Sequence, residues 1–293
     1  MANLKAIRNR IKSVRSTEKI THAMRLVAAA KVKRAQSRVE AARPFTQKVV
    51  ALLQEVAREE ANIDLFEVPL LVPRAVRKVG IIVLSSDRGL CGSYNANIFK
   101  AVTSRIQELD SEGKAATLIL VGLKAVAFFR NVKIEKLRTY TLLPAIPTVE
   151  EAKLISEQAC QAYTQGQVDA IEIVSTDFIS LLRSQVVTTS YLPLAAPEVP
   201  LDRPPTPERI FEPSMQDVLE EQIIPMYLEN VIYQALLEAS ASELAARMNA
   251  MSNASNNARD LLQSLTLVYN KARQASITQE LLEIVGGTEA LRQ

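Results

Sequence analysis

The residues best placed to do chemistry lie in one short loop, Ser85 to Asn95, which reads Ser-Ser-Asp-Arg-Gly-Leu-Cys-Gly-Ser-Tyr-Asn. It follows a strand-like apolar run and precedes a helical stretch, the position of a phosphate-binding loop in α/β proteins. Its glycine spacing matches neither the dinucleotide fingerprint nor the P-loop, and no lysine follows the second glycine. Cys91 would need a nearby base to act as a nucleophile, but the one histidine, His22, belongs to the N-terminal helix. The loop is therefore predicted to be a structural turn or a contact surface.

Composition limits the chemistry further. The chain has two cysteines, Cys91 and Cys160, and one histidine, too few for a disulfide framework or a metal cluster. We expect free thiols, no metal and no cofactor. No run of eighteen apolar residues exists, so no membrane-spanning helix is predicted. The N-terminus is a charged, periodic helix rather than a signal peptide, which predicts a cytosolic chain.

The last eighty residues, Ser214 to Gln293, are predicted to form one very long helix. Apolar residues recur there at helical spacing, and neither glycine nor proline occurs between Met226 and Val285. The pair Gly286-Gly287 is the first strong C-terminal stop signal. About sixty helical residues would extend roughly 90 Å, too far for one compact domain. The helix therefore needs a partner along its length.

Residues 1–58 supply a candidate partner helix. Leu4, Ile7, Ile11 and Val14 repeat at the spacing of a coiled-coil seam. The apolar positions that follow are Ile20, Met24 and Val27, so the seam is predicted to slip at Thr17. Pro44 is expected to bend or interrupt the helix.

Charge supports pairing between the two ends of the chain. Residues 1–43 contain twelve basic and two acidic residues, whereas residues 214–293 contain five basic and ten acidic residues. A basic helix can bind nucleic acid or an anionic membrane, but the acidic helix offers a partner within the chain. We predict that the basic helix pairs with the acidic one, and that the chain binds no nucleic acid.

Residues 77–195 have the alternating pattern of an α/β domain with a mostly parallel sheet. Thr148 and Glu151 have capping-box spacing, which predicts a helix from there to about Gln165. A proline-rich linker at 196–213 returns the chain to the C-terminal helix. Strands are predicted at Val79–Ser85, Thr117–Val121, Asp169–Ser175 and Arg183–Leu192, and further helices at Asn95–Glu108 and Leu123–Arg130.

The end of the C-terminal helix combines a mixed polar stretch, Asn270 to Glu280, with an apolar tip at Leu281, Leu282, Ile284 and Val285. An isolated chain would expose this tip, so it is predicted to enter a socket on a partner.

At these stretches the sequence resembles the gamma subunit family of F-type ATP synthases, over essentially the whole chain. The resemblance is carried by Ile7 to Ala35, by Ser86-Asp-Arg-Gly-Leu-Cys-Gly, and by Asn270 to Glu280. It implies a long antiparallel coiled coil of N- and C-terminal helices plus a central Rossmann-like α/β domain. It also implies a non-catalytic rotor shaft that couples proton flow to ATP synthesis. The implied partners are three alpha and three beta subunits, an epsilon subunit and a membrane ring of c subunits, with no direct small-molecule substrate.

The resemblance also assigns contact residues. Met24 with its basic neighbours, and the helix-end residues, match positions that touch catch loops of beta subunits, and Arg247 matches a position near that interface. The loop after the first strand would belong to a foot on the membrane ring. The implied subunit contacts are Met24, Arg247, Arg273, Gln274, Thr278 and Glu280, and the foot loop comprises Asp87, Arg88, Gly89, Cys91 and Gly92.

Three stretches resemble the cyanobacterial and chloroplast branch of the family: Asn3 to Ile7, Met24 to Lys31 and Val285 to Leu291. This resemblance implies a peripheral protein on the cytoplasmic, stromal-equivalent face of a bacterial plasma or thylakoid membrane. That branch usually carries an extra regulatory segment before the C-terminal helix. Here only the proline-rich linker occupies that place, and neither Cys91 nor Cys160 lies in it. Two other classes are considered: a stand-alone α/β enzyme that binds nucleotide through the Asp87 loop, and a coiled-coil adaptor or nucleic-acid binder.

Overall fold

The computed structural model describes residues 4–59, 70–71, 74–194 and 215–290. The linker predicted at 196–213 lies outside the described residues, and the predicted domain limits stay predictions. The chain divides into two compact units, which we name the end unit (Met1–Ala29 with Arg247–Gln293) and the central unit (Ala30–Ala246). No helix in the described part of the chain is long and apolar enough to cross a membrane.

Long helices form both ends of the described chain, as predicted. The first, α1, extends over Leu4–Glu59. After the central domain, α5 (Met215–Val218), a π-helical turn (Leu219–Ile223) and α6 (Ile224–Ala290) follow one another without a break. Pro225 has no N–H to donate to the preceding turn, and the π turn lies directly before it, where a regular α-helical bond would be lost.

The sequence predicts a bend or an interruption at Pro44 and a stop at Gly286-Gly287, but α1 is not interrupted and α6 does not stop there. Pro44 lies inside α1, and Gly286-Gly287 lies inside α6, which continues to Ala290. A proline costs a helix one hydrogen bond, and a glycine costs about 1 kcal/mol relative to alanine. These local penalties did not end either helix.

The central unit contains a five-stranded sheet of order β3-β2-β1-β4-β5. Strands β1 to β4 are parallel, and β5 pairs antiparallel with β4. This confirms the predicted mostly parallel, Rossmann-like domain. The strands are β1 Lys78–Leu84, β2 Ala115–Val121, β3 Glu135–Tyr140, β4 Ala170–Phe178 and β5 Ser184–Leu192.

Helices cover both faces of this sheet. One face packs against α2 (Tyr94–Ser111) and α3 (Leu123–Phe129). The other packs against α4 (Val149–Thr164) and the first turns of α6, whose Leu228 and Ile232 are fully buried. The predicted capping box is present, because Thr148 and Glu151 bond each other at the start of α4. The sheet thus fixes α6 directly.

The sequence pattern missed β3. Its residues Glu-Lys-Leu-Arg-Thr-Tyr contain no apolar run, and none of their side chains is fully buried. An edge strand faces one neighbour only, so its sequence need not show the continuous apolar run of a central strand.

In the central unit α1 and α6 pack antiparallel. Thr46 of α1 bonds Asn230 of α6, while Val32, further back on α1, shares a core with Leu244, further on along α6. Small side chains permit this close approach, and the shared core contains Val32, Ala35, Val39, Leu237, Ala241, Leu244 and Ala245.

In the end unit the seam of α1 does not slip at Thr17, so that prediction is wrong. The least exposed positions continue the 3-4 spacing through Glu18, Thr21, Arg25 and Ala28. Of the apolar side chains predicted to carry the seam, Ile20 and Val27 are 56% and 57% exposed, and Met24 is half-buried. Close helix packing favours small and polar seam residues here.

An ion pair joins the two helices of the end unit, between Glu18 of α1 and Arg259 of α6, at 3.6 Å. The charges are reversed relative to the prediction, because the basic helix α1 supplies the acidic residue and the acidic helix α6 supplies the basic one. Arg259 is more than half exposed, so the pair contributes little stability by itself.

Candidate partner interfaces

The loop after β1 is held by its own hydrogen bonds. The Ser85 hydroxyl donates to the Val121 carbonyl at 2.9 Å and accepts from the Ala125 amide. The Asp87 carboxylate accepts from the Leu123 amide at 2.8 Å, which places a negative charge at the start of α3. The Ser85 hydroxyl and the Asp87 carboxylate are therefore used inside the fold, as in the structural turn that the sequence predicts.

The same edge of the sheet presents apolar side chains. A large exposed apolar residue follows the carboxyl end of each parallel strand, and we name this set the carboxyl-edge rim: Leu90, Leu123, Leu142 and Leu182. Leu90 and Leu142 are 62% and 78% exposed and have positive φ angles of 65° and 61°, a conformation that is costly for leucine. Doubly wound enzymes bind polar ligands at this edge. An apolar rim instead fits a protein contact.

The cleft beside α2 contains acids and a base but no free catalytic pair. The Arg105 guanidinium donates to both oxygens of Glu172, at 2.7 and 2.8 Å, and to Glu108 at 3.1 Å. The hydrogen bond to Glu172 raises the pKa of Arg105, so the group stays cationic. Both carboxylates are engaged by one cation, an arrangement that suits a structural network better than general acid-base chemistry.

Neither cysteine has the surroundings of a nucleophile. Cys91 is buried, and its sulfur accepts from the Asn95 amide at 3.3 Å. Burial raises the pKa of Cys160 to about 11, so this thiol stays protonated near neutrality. The one histidine of the chain lies in the end unit, whereas both cysteines lie in the central unit. Among the described residues no cluster could hold a metal ion.

The end of α6 is exposed, as the sequence predicted. Leu281, Leu282, Ile284 and Val285 are each more than half exposed. The half-buried seam of α6 reaches Ser276 and ends there, because the residues after it are exposed. We name residues 277–285 the apolar tip.

The polar residues before and within the tip bond locally. The Thr278 hydroxyl donates to the Gln274 carbonyl at 3.0 Å, and Glu280 accepts from the Ser276 hydroxyl at 3.2 Å. Arg273, Gln274, Thr278 and Glu280 are all exposed. They are available to a partner without disturbing the helix.

The predicted contact residues fall in both units. Met24, Arg247, Arg273, Gln274, Thr278 and Glu280 belong to the end unit, and the foot loop Asp87, Arg88, Gly89, Cys91 and Gly92 belongs to the central unit. Within the end unit Met24 and Arg247 are half-buried, whereas the helix-end residues are exposed. Sequence reasoning missed the carboxyl-edge rim, because isolated leucines in loops or at the start of a helix carry no pattern.

A pair of carboxylates lies where β4 meets α6. Asp177 of β4 faces Glu238 of α6, which also accepts from the Gln234 amide at 3.1 Å. Burial, followed by the charge and hydrogen bond of Glu238, raises the pKa of Asp177 above its usual value. The folded chain therefore binds this proton more tightly than the unfolded chain, and stability falls as pH rises from the usual Asp pKa through the raised one.

We expect Asp177→Asn to stabilise the chain at pH 7 to 8 and to lose this advantage as the pH falls through the raised pKa of Asp177 towards its usual value. Urea unfolding at pH 4, 6 and 8 measures the difference. Asp110→Asn is the matched control, since Asp110 is exposed at the end of α2. A pH-independent difference between Asp177→Asn and the parent would contradict the carboxylate pairing.

Comparisons with known proteins agree over the whole chain. A family profile described as ATP synthase matches residues 3–291. The chain is 44% identical to the ATP synthase gamma chain of Synechococcus sp. (strain JA-3-3Ab), covering 99% of this chain and all of that one. It is 46% identical to the gamma chain of Cyanothece sp. (strain PCC 7425 / ATCC 29141), covering all of both. These alignments extend over 316 and 320 positions, so the relatives contain residues without a counterpart among the 293 here.

Solved structures share the fold. A chain of the Euglena gracilis mitochondrial ATP synthase (OSCP/F1/c-ring) aligns with a TM-score of 0.67 at 20% identity, covering 98% of this chain and 94% of that one. A chain of the Tetrahymena thermophila mitochondrial ATP synthase central stalk/c-ring aligns with a TM-score of 0.59 at 24% identity, covering 80% of this chain and 99% of that one.

Proposed function

This chain belongs to the ATP synthase gamma chain family, and on that premise we propose that it is the central rotor shaft of an F-type proton-translocating ATP synthase. It would turn inside a ring of three alpha and three beta subunits, with epsilon and a ring of c subunits at its foot. It would lie on the cytoplasmic, stromal-equivalent face of a plasma or thylakoid membrane. The observation that carries the proposal is the exposed apolar tip at the end of α6, a helix that packs antiparallel with α1 in the central unit.

The proposed role is mechanical, and the chain itself is non-catalytic. A shaft with different side chains around its circumference presents a different surface to each beta subunit as it turns. Rotation then shifts each beta subunit between open and closed conformations, since only differential contact with the two states can move their populations. The engaged carboxylates around Arg105 and the protonated Cys160 support this assignment, because neither offers a catalytic pair.

Two surfaces of the end unit support contact with the alpha and beta subunits. The apolar tip offers a bearing surface whose burial would be favourable by roughly 25 cal/mol per Å². Along α1, Ile20 and Val27 face outward, one before and one after half-buried Met24, and the exposed Lys19 lies beside Ile20. A stripe of apolar and basic side chains suits acidic, partly apolar loops of a partner.

The central unit supplies the proposed foot. Its loop after β1 presents exposed Arg88 and Leu90 beside the exposed Lys124 of α3. Because the loop is fixed by bonds to Val121 and Leu123, these side chains are presented in a defined geometry. A preorganised surface loses less entropy on binding than a mobile one.

Reconstitution tests the proposal. Alpha and beta subunits of a related cyanobacterial enzyme are purified with and without this chain, and ATPase activity is measured. We expect an assembly of three alpha, three beta and one copy of this chain, with activity that depends on it. Gln274→Ala with Thr278→Ala should lower turnover several-fold and leave nucleotide affinity at beta unchanged. A monodisperse chain that ignores alpha and beta would refute the shaft assignment.

A further inference from the structure

A buried polar pair joins α1 and α6 in the central unit. The Asn230 side-chain amide donates to the Thr46 hydroxyl at 2.8 Å, and Asn230 is only 6% exposed. Both residues occupy seam positions. Thr46 lies seven residues after Val39 on α1, and Asn230 lies seven residues before Leu237 on α6, with Val39 and Leu237 in one apolar core. A heptad position that could hold an apolar residue thus holds an amide.

This pair adds little net stability. A neutral hydrogen bond contributes modestly to folding, because both groups also bond water in the unfolded chain. Breaking the bond costs more than forming it contributes, because an amide that is buried without its partner loses its hydrogen bonds to water and gains none in return. The pair therefore discriminates between arrangements that keep the bond and arrangements that break it.

The apolar part of the seam between α1 and α6 distinguishes only weakly between alternative registers of the two helices. With Thr46 opposite Asn230, an antiparallel heptad register places Val39 opposite Leu237 and Val32 opposite Leu244, and all four apolar residues belong to one core. After a slip of one heptad in one direction, Val39 would face Leu244 and Ala42 would face Ala241, which are again apolar pairs. After a slip in the other direction, Asn230 would face Val39. In neither case does Asn230 keep its bond to Thr46.

We propose that the Asn230–Thr46 hydrogen bond is a register pin, which fixes the axial position of α1 along α6. A single buried asparagine sets register in coiled coils by the same physical argument, at a cost in stability. The sheet holds α6 through Leu228 and Ile232, so α1 is the helix whose position the pin selects. One heptad of slip would move α1 by roughly 10 Å along its axis.

The functional consequence rests on the proposed rotor role. Met24 and the outward stripe of α1 belong to the same helix as Thr46. A 10 Å displacement of α1 would carry that stripe away from the loops it is proposed to contact. The pin would then be a positioning device for the shaft surface, acting through the axial position of α1.

The test measures register in the full-length chain. The substitutions Cys91→Ser and Cys160→Ala first remove the native thiols. Spin labels are then attached to cysteines introduced at Ser37 of α1 and at Glu150 of α4, both exposed positions. Pulsed electron paramagnetic resonance then gives the distance between the labels. The variant that removes the pin is Thr46→Val with Asn230→Leu, which keeps the seam filled. Thr46→Ser is the conservative variant, and Thr164→Val is the matched control, because Thr164 is an exposed helical threonine.

We expect one distance in the parent, in Thr46→Ser and in Thr164→Val. The apolar pair should unfold at an equal or higher temperature, yet show a second distance population of at least about one tenth. Thr46→Val alone, which strands the buried amide, should lower the unfolding temperature by several degrees. A single, unchanged distance in the apolar pair would overturn the register pin. The measurement uses this chain alone, so that outcome leaves the rotor proposal to be judged by reconstitution.

Discussion

Replacing Leu282 by Asp should lower the ATP turnover of the reconstituted complex tenfold or more, while the unfolding temperature of the free chain stays unchanged. Leu282 is 66% exposed on the apolar tip, so the free chain loses almost no packing. In a socket, a buried leucine contributes roughly 1.5–3 kcal/mol, and about 1.4 kcal/mol corresponds to a factor of ten. A carboxylate there would also be desolvated without a partner, which adds to the loss.

Two controls separate the apolar contact from other causes. Leu282→Met keeps the side chain apolar and close in volume, so turnover should stay within a factor of two or so of the parent. Gln263→Asp adds the same charge at an exposed position of the same helix that lies outside the apolar tip. If Leu282→Asp and Gln263→Asp lowered turnover equally, charge rather than loss of an apolar contact would be responsible.

Ile232→Ala should destabilise the free chain by about 2–5 kcal/mol, the usual cost of removing a large aliphatic side chain from a filled core. Ile232 is fully buried where α6 crosses the sheet, in one core with residues of β1, β2 and α4. The polar contact beside it, from the Tyr191 hydroxyl to the Leu228 carbonyl at 3.3 Å, cannot replace this packing. Urea unfolding followed by circular dichroism measures the change in the free energy of unfolding.

Leu267→Ala is the control for this core variant, since Leu267 is 71% exposed on the same helix. A substitution at an exposed position of this kind usually changes stability by less than about 0.5 kcal/mol. The two variants also separate stability from function. If Ile232→Ala assembled and turned over normally despite its lower stability, the attachment of α6 to the sheet would not limit torque transfer.

Patterns with strong local causes were predicted well. Regular apolar spacing placed both long helices and the central strands, and the Thr148-Glu151 spacing predicted a capping box that the structure contains. The exposed apolar tip also followed from sequence alone, because an apolar run at the end of a polar helix has no intramolecular partner to cover it. These features depend on neighbours a few residues apart.

The errors share a different cause. The seam of α1 was placed on Ile20, Met24 and Val27, but the surface that faces α6 holds Thr21 and Ala28. A stop was placed at Gly286-Gly287, but α6 continues through it. The predicted stop rested on the helix propensity of glycine, about 1 kcal/mol per residue, and the predicted seam rested on the apolarity of single side chains. Neither property takes account of which surfaces meet in the folded chain.

The sequence by itself determined the family, the α/β class of the centre and the two long helices, because periodicity and motif spacing are properties of the chain alone. Tertiary structure alone decided which face of α1 is buried, the edge strand β3, the carboxyl-edge rim and the pairing of Thr46 with Asn230. Those features join residues as many as 184 positions apart. Their energies depend on which surfaces meet, and no local pattern records that choice.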